Sequence, residues 1–248
     1  MKYVGIDGCR VGWFYVGFDD SDTFSVGILP RIDEISDWLT SVSVMLIDIP
    51  IGLPSKGRAE RLCDREARQI IKPRGSTVFP APARSAIAKE SYETGSAENL
   101  RCLGRKLSRQ SWAIAGKIKE VDDFLVTRKP GSKIREMHPE VAFCGLNGGR
   151  PLLTRKKDRE GFDERLGVLK RFYPDAGAVV DAARSKFLKK DLQNDDILDA
   201  LVGAVTASFY PHLSTLPDVV PIDDKGLPME MVYARCRYAS ISNHGSVD

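Results

Sequence analysis

The sequence predicts an α/β chain: a mixed sheet with helices on both faces and a helical insertion after its central strand. Three observations carry this. Strand-like segments at Lys2–Asp7, Val11–Phe18 and Thr23–Leu29 follow one another as an antiparallel meander. A helix-spaced segment then leads to Val44–Ile49, an apolar run of the kind found in a strand buried on both faces. From Leu53 to about Ser132 strand patterning gives way to helical patterning.

Each element has its own reason. Val11, Trp13 and Tyr15 share one face of the second strand, and Ile32, Ile35, Trp38 and Leu39 make Arg31–Thr40 a crossover helix. Pro50 and Pro54 end the central strand. Long helices over about Arg58–Ile71 and Ala97–Thr127 are joined by the loop Arg74–Arg84, whose prolines and basic residues mark it as structured and surface-facing. Strand character returns at Lys133–His138, and Pro139 suits the first turn of a helix. Helices follow at Phe162–Phe172, Ala178–Phe187 and Asp195–Phe209, the last apolar nearly all round and therefore buried. Val219–Ile222 and Met229–Tyr233 read as short edge strands. The reading is one domain over 1–234, with its helical insertion at about 54–132 and a polar tail at 235–248.

A chain of 248 residues with 42% apolar content can bury a large core. No apolar run approaches the length of a membrane span, so a membrane protein is not expected. Five cysteines, odd in number and far apart, suit free thiols in a reducing cytoplasm. The net charge of +3 says less than its distribution: Arg61, Arg65, Arg68 and Lys72 share one helical face, as do Arg101, Arg105 and Arg109. Such stripes suit either a phosphate-tracking surface or a solvated helix face.

The informative residues are carboxylates in apolar surroundings, where an unneutralised charge costs several kcal/mol. Asp48 has apolar neighbours on both sides and Pro50 close behind. Asp7-Gly8 suits a hairpin turn as well as a site. Asp195 and Asp196 suit the capping of their helix, but Asp199 lies beyond the first turn. Asp196 and Asp199 share a face with Gly203, which lets the helix approach a sheet closely and aims both acids at the strand bearing Asp7. Glu136 is a further ligand or base candidate; Glu140 and His138 rank second with Asp195, since Glu140 also suits a helix N-terminus and a lone His is commonly structural. No phosphate-binding loop, dinucleotide fingerprint or nucleophile elbow is present, and three scattered His residues disfavour zinc. Oxygen-only ligands point to Mg²⁺ or Mn²⁺.

Ile6-Asp7-Gly8 and Asp196-Ile197-Leu198-Asp199-Ala200-Leu201 resemble the first-strand and last-helix motifs of the Holliday-junction resolvases, within the ribonuclease-H-like superfamily. Over nearly its whole length the chain looks like domain-of-unknown-function family 429, described as predicted ribonuclease-H-like nucleases. The matching stretches are Gly5–Trp13, Ile47–Pro54, Val78–Arg84, Glu136–Glu140 and Asp195–Ala200. This resemblance implies a ribonuclease-H-like mixed five-stranded sheet and a two-metal nuclease acting on nucleic acid. Asp7 would bridge two Mg²⁺ (or Mn²⁺) ions, Asp48 would hold one, and Asp196 or Asp199 the other. Arg10 and Arg84 would hold phosphate oxygens, with Arg61, Arg65 and Arg68 lining the cap.

Two other classes stay open from sequence. A phosphotransferase of the sugar-kinase and actin type also uses an early strand Asp, though Cys9-Arg10-Val11 and Gly145–Gly149 make poor phosphate hairpins. A non-catalytic module binding nucleic acid or metal is the third.

Overall fold

The computed structural model describes residues 1–21, 23–55, 57 and 60–236. Its centre is a five-stranded mixed sheet. Strands β1 (Tyr3–Cys9), β2 (Gly12–Phe18) and β3 (Phe24–Leu29) run antiparallel, while β4 (Val44–Ile47) and β5 (Ile134–Glu136) run parallel to β1, in the order β3-β2-β1-β4-β5. Ile6 lies opposite Ile47, which lies opposite Glu136. The Asp48 amide donates to the Ile6 carbonyl at 3.0 Å and the Met137 amide to that of Ile47 at 3.0 Å. The carboxyl ends of three parallel strands are thus level, at the edge where α/β sheets place their ligands.

The helices are α1 (Leu62–Ile70), α2 (Arg84–Ile87), α3 (Tyr92–Leu103), α4 (Arg109–Ala113), α5 (Ala115–Arg128), α6 (Pro139–Leu146), α7 (Arg159–Lys170), α8 (Ala176–Lys186) and α9 (Asn194–Ala207). Phe14, Val16 and Leu46 bury one sheet face against α6 to α9. Val4, Ile6, Trp13 and Ile47 bury the other against α5 of the insertion, through Ile118, Val121 and Leu125.

Several boundaries differ from the sequence reading, each for a local reason. Ile32–Trp38 is a 3₁₀ helix rather than an α-helix. Its apolar residues recur every third position, the repeat of that tighter helix. The long helix expected over Ala97–Thr127 is three helices. Gly104, in the left-handed conformation (φ 69°), closes α3, and the Ser108 hydroxyl accepts from the Ser111 amide to open α4. The helix expected from Arg58 begins at Leu62; Arg58 itself lies outside the described residues. Met231–Tyr233 (β7) is a strand, but it pairs with the unanticipated β6 (Ser214–Leu216) in a separate two-stranded sheet. Val219–Ile222 contributes one isolated bridge, from Ile222 to Pro228, because Pro217 and Pro221 interrupt any ladder. Of the tail expected from Arg235, only Arg235 and Cys236 are among the described residues.

Helix α9 lies directly on β1. A Cβ placed on Gly5 would sit 2.0 Å from the Ala200 carbonyl oxygen, and one on Gly203 would sit 3.0 Å from Gly5 Cα. Neither partner is a flexible side chain, so Gly5→Ala must push helix and strand apart. Its expected cost is on the order of 3 kcal/mol, read as a lower urea midpoint with unchanged slope.

Candidate functional site

The four acids that sequence singled out come from three elements and meet at one edge. Asp7 is a strand residue opposite Phe14; the hairpin turn falls later, at Arg10-Val11. Its Oδ1 accepts from the Gly8 amide at 2.7 Å. Asp48 is the first residue past β4, and Asp195, Asp196 and Asp199 occupy the opening of α9. Asp7 and Asp199 are buried, while Asp48 and Asp196 are half-buried.

Electrostatics show how close the cluster is. Burial, then the charges of Asp48, Asp199 and Asp196, push the Asp7 carboxyl well above its ordinary range. Burial and Asp199 push Asp48 up to about 8. Burial raises Asp196 to about 6, although its Oδ2 accepts from the Gln193 amide at 2.8 Å and so also caps the helix. Asp199 is raised by burial as well. Capping therefore accounts for Asp196 in part, and for Asp199 not at all.

Lys156, in the segment before α7, is the residue sequence reasoning missed. Its ammonium hydrogen-bonds Asp199 Oδ2 and lies 3.8 Å from Asp195 Oδ2. Burial alone would lower this ammonium, but Asp199, Asp7 and Asp48 hold it above its usual value. One internal cation thus faces four to five acids and leaves them undercompensated. A lone Lys in the run Arg155-Lys156-Lys157 carries no local sign of this role.

The donors fit a hard divalent cation. They are carboxylates, and Asp199 Oδ1 is buried with no hydrogen-bond partner among the described residues. Among the described residues, no three acid, imidazole or thiol groups converge to ligand spacing. The Lys156 ammonium occupies Asp199 Oδ2 and leaves Oδ1 open.

A cleft of about 500 Å³ opens over the cluster. Asp7, Asp48, Asp195 and Lys156 line its floor, together with Lys117 from α5 and exposed Lys157. Lys117 Nζ donates to the Gly12 carbonyl at 2.6 Å and stands 4.3 Å from the Trp13 ring centroid. Burial lowers its ammonium. Pro50, Val78, Phe79 and Ile114 form an apolar wall.

Of the remaining expected site residues, Glu136, Glu140, His138 and Arg61 line the same cleft, while Arg10, Arg65, Arg68 and Arg84 do not. Arg61, expected on a substrate-facing surface, is buried at the back of the cleft with its donors turned inward. Its Nη1 donates to Glu136 Oε2 at 2.6 Å and to the Ile51 carbonyl at 2.8 Å, and its Nε to Asp64 Oδ1 at 3.1 Å. Glu136 also accepts from the Ile51 amide at 2.6 Å and is raised by burial to about 7, against the pull of Arg61. Arg84 is clasped by Asp122, Asp223 and Asp224, and is not among the residues of the cleft. Arg68 pairs with Glu60 and donates to the Val78 carbonyl at 2.9 Å. Arg65 is exposed, and so is Arg10, whose Nη1 reaches the Lys190 carbonyl at 3.4 Å. Glu140 pairs with fully buried Arg165 at 2.7 Å. His138 sits at the start of α6, with Nε2 3.4 Å from the Thr77 carbonyl; burial lowers it to about 4, so the ring is neutral at physiological pH. The stripe Arg101, Arg105, Arg109 is divided by the break at Gly104, and Arg105 donates to the Ala81 carbonyl at 2.9 Å.

Fold and site define a class: a mixed α/β chain whose parallel strands and a glycine-seated helix gather acids at the floor of a cleft. The chain belongs to the family described as protein of unknown function (DUF429), whose model matches residues 5–221 and so spans Asp7 to Asp199. No curated protein and no solved structure matches it. Among the described residues, no helix is long and apolar enough to cross a membrane.

Proposed function

We propose that this protein is a divalent-metal-dependent nuclease of the ribonuclease-H-like type, hydrolysing phosphodiester bonds. The carrying observation is the convergence of Asp7, Asp48, Asp196 and Asp199 where β1 and β4 end and α9 begins. The strand order β3-β2-β1-β4-β5 and the unpartnered Asp199 Oδ1 support the same reading.

In this reading Asp7, Asp48, Asp196 and Asp199 would hold two Mg²⁺ or Mn²⁺ ions, which when bound would activate a water and stabilise charge on the leaving oxygen. The chain's own groups do the rest. Lys117 and Lys157, which line the cleft, hold non-bridging phosphate oxygens, the task that the resemblance assigned to Arg10 and Arg84. Lys156 draws the Asp199 carboxyl downward against the burial that raises it. Neutral His138 and the Arg61–Glu136 pair line the same cleft and help to hold its shape.

The test is a panel of single-stranded, duplex, flap, junction and hybrid DNA and RNA substrates with Mg²⁺ or Mn²⁺. Asp7→Asn and Asp199→Asn are each expected to lower cleavage at least about a thousandfold, roughly 4 kcal/mol of transition-state stabilisation. Activity that survives both substitutions overturns the assignment.

A further inference from the structure

The cleft is lined by two unlike kinds of side chain, and together they specify more than a phosphodiester. Lys117 and Lys157 line it along with the acids. Phe79, a large apolar side chain left 37% exposed, lines it too. A single exposed apolar residue is ordinary and by itself asks for no explanation. Phe79 differs in how it is held. On one side the Val78 carbonyl accepts from Arg68 Nη1 at 2.9 Å, and Val78 itself is buried. On the other, the Ala81 amide donates to buried Asp64 at 2.9 Å, with Pro80 stiffening the link between. The loop is fixed at both ends, so the ring is presented to the cleft rather than left there by a slack chain.

A ligand matching both kinds of lining must join a flat apolar surface to an anionic group within one cleft. A nucleotide does this, with its base on the ring and its phosphate toward the lysines and acids. In a duplex the base faces are covered by their neighbours, and only an unpaired nucleotide offers one to an aromatic side chain. Resting on the nuclease reading above, we infer that the substrate is single-stranded nucleic acid, or a strand with an unpaired nucleotide at the cut, and that Phe79 stacks on the base flanking the scissile phosphate. Phe79 is a specificity residue in this assignment, not a catalytic one.

The experiment compares wild type with Phe79→Ala, Phe79→Leu and Phe79→Trp. Binding is read by fluorescence anisotropy in Ca²⁺ buffer, using a labelled 12-nucleotide single strand, its blunt duplex, and an unlabelled 5′-mononucleotide as competitor. Cleavage of strand and duplex is read in Mg²⁺, and thermal melts check folding. Wild type should prefer the single strand. Alanine and leucine should each weaken single-strand binding roughly fivefold or more, tryptophan should retain it, and duplex binding should not change. Melts should coincide, since the ring is partly exposed and fills no core site. Equal binding of duplex and strand, indifference to the alanine change, or a mononucleotide that competes as well as the oligonucleotide overturns this inference while leaving the nuclease reading intact. No cleavage by wild type of any substrate in the full panel overturns the nuclease reading, and this inference with it.

Discussion

With divalent ions removed by EDTA, the melting temperature is expected to fall as pH rises from 6.5 to 8.5, and Mg²⁺ to abolish the fall. Asp48 carries the argument. Its carboxyl is raised to about 8 in the fold, against roughly 3.9 in an unfolded chain. A carboxyl with a raised folded pKa contributes stability that is fully present below the unfolded value and is lost as pH climbs through the folded one. Asp196, raised to about 6, and Glu136, raised to about 7, act with the same sign at lower pH. His138 acts oppositely, because its folded pKa of about 4 is depressed and its contribution disappears as pH drops below roughly 6.5. The window from 6.5 to 8.5 is therefore where the acids act without that opposition. Ionising Asp48 across it costs on the order of 2 kcal/mol, a shift of about 4–8 °C for a chain of this size. A bound cation favours the ionised acids and removes the slope. Asp48→Asn should make the EDTA profile shallower and raise the melting temperature at pH 8.5, with raised Asp7 carrying the slope that remains. A flat wild-type profile, or equal stabilisation by Mg²⁺ at both pH values, contradicts the account.

Arg61→Ala is expected to be the most damaging single change to stability, at about 3–5 kcal/mol. The Arg61 and Asp64 side chains have no solvent exposure, and that of Glu136 has 3%. Removing the guanidinium strands two buried carboxylates and frees the Ile51 carbonyl that it also binds. Arg61→Lys should recover little, since one ammonium cannot reproduce the fork that meets Asp64 and Glu136 together. A surface phosphate contact would behave otherwise: substrate binding would weaken and the melting temperature would stay. Chemical denaturation of both variants distinguishes the two.

That contrast shows what the sequence could and could not convey. Asp48 and Asp199 were legible because a charged residue among apolar neighbours is anomalous on local grounds alone. Gly203 was legible as a close-approach residue because it follows Asp199 by one turn; its partner, Gly5, is seen only once the strand is packed. Arg61 misled because helical spacing cannot separate a solvated stripe from an interior ion pair: Asp64 is its i+3 neighbour, but Glu136 is 75 positions away. Lys156 and Lys117 carry no local sign, because each gains its meaning from acids or backbone that only the fold brings near. The mixed sheet was readable from its meander and crossover. Strand β7 was readable within Met229–Tyr233, but its partner β6, three residues long, is too short for periodicity to register. Gly104 and Ser108 hold the signals that divide the long helix, a left-handed stop and an N-cap.

The contact between Gly5 and Gly203 has an implication for how this site can vary. Helix α9 rests on β1 backbone to backbone. The spacing between Asp7 and the acids of α9 is therefore set by peptide geometry, not by the size of any intervening side chain. Repacking of the cores on either face can raise or lower stability without retuning that gap, so tolerance to mutation and calibration of the acids are separate properties. A library randomised at core positions, with both glycines kept, should yield many variants of altered melting temperature and few of altered metal preference.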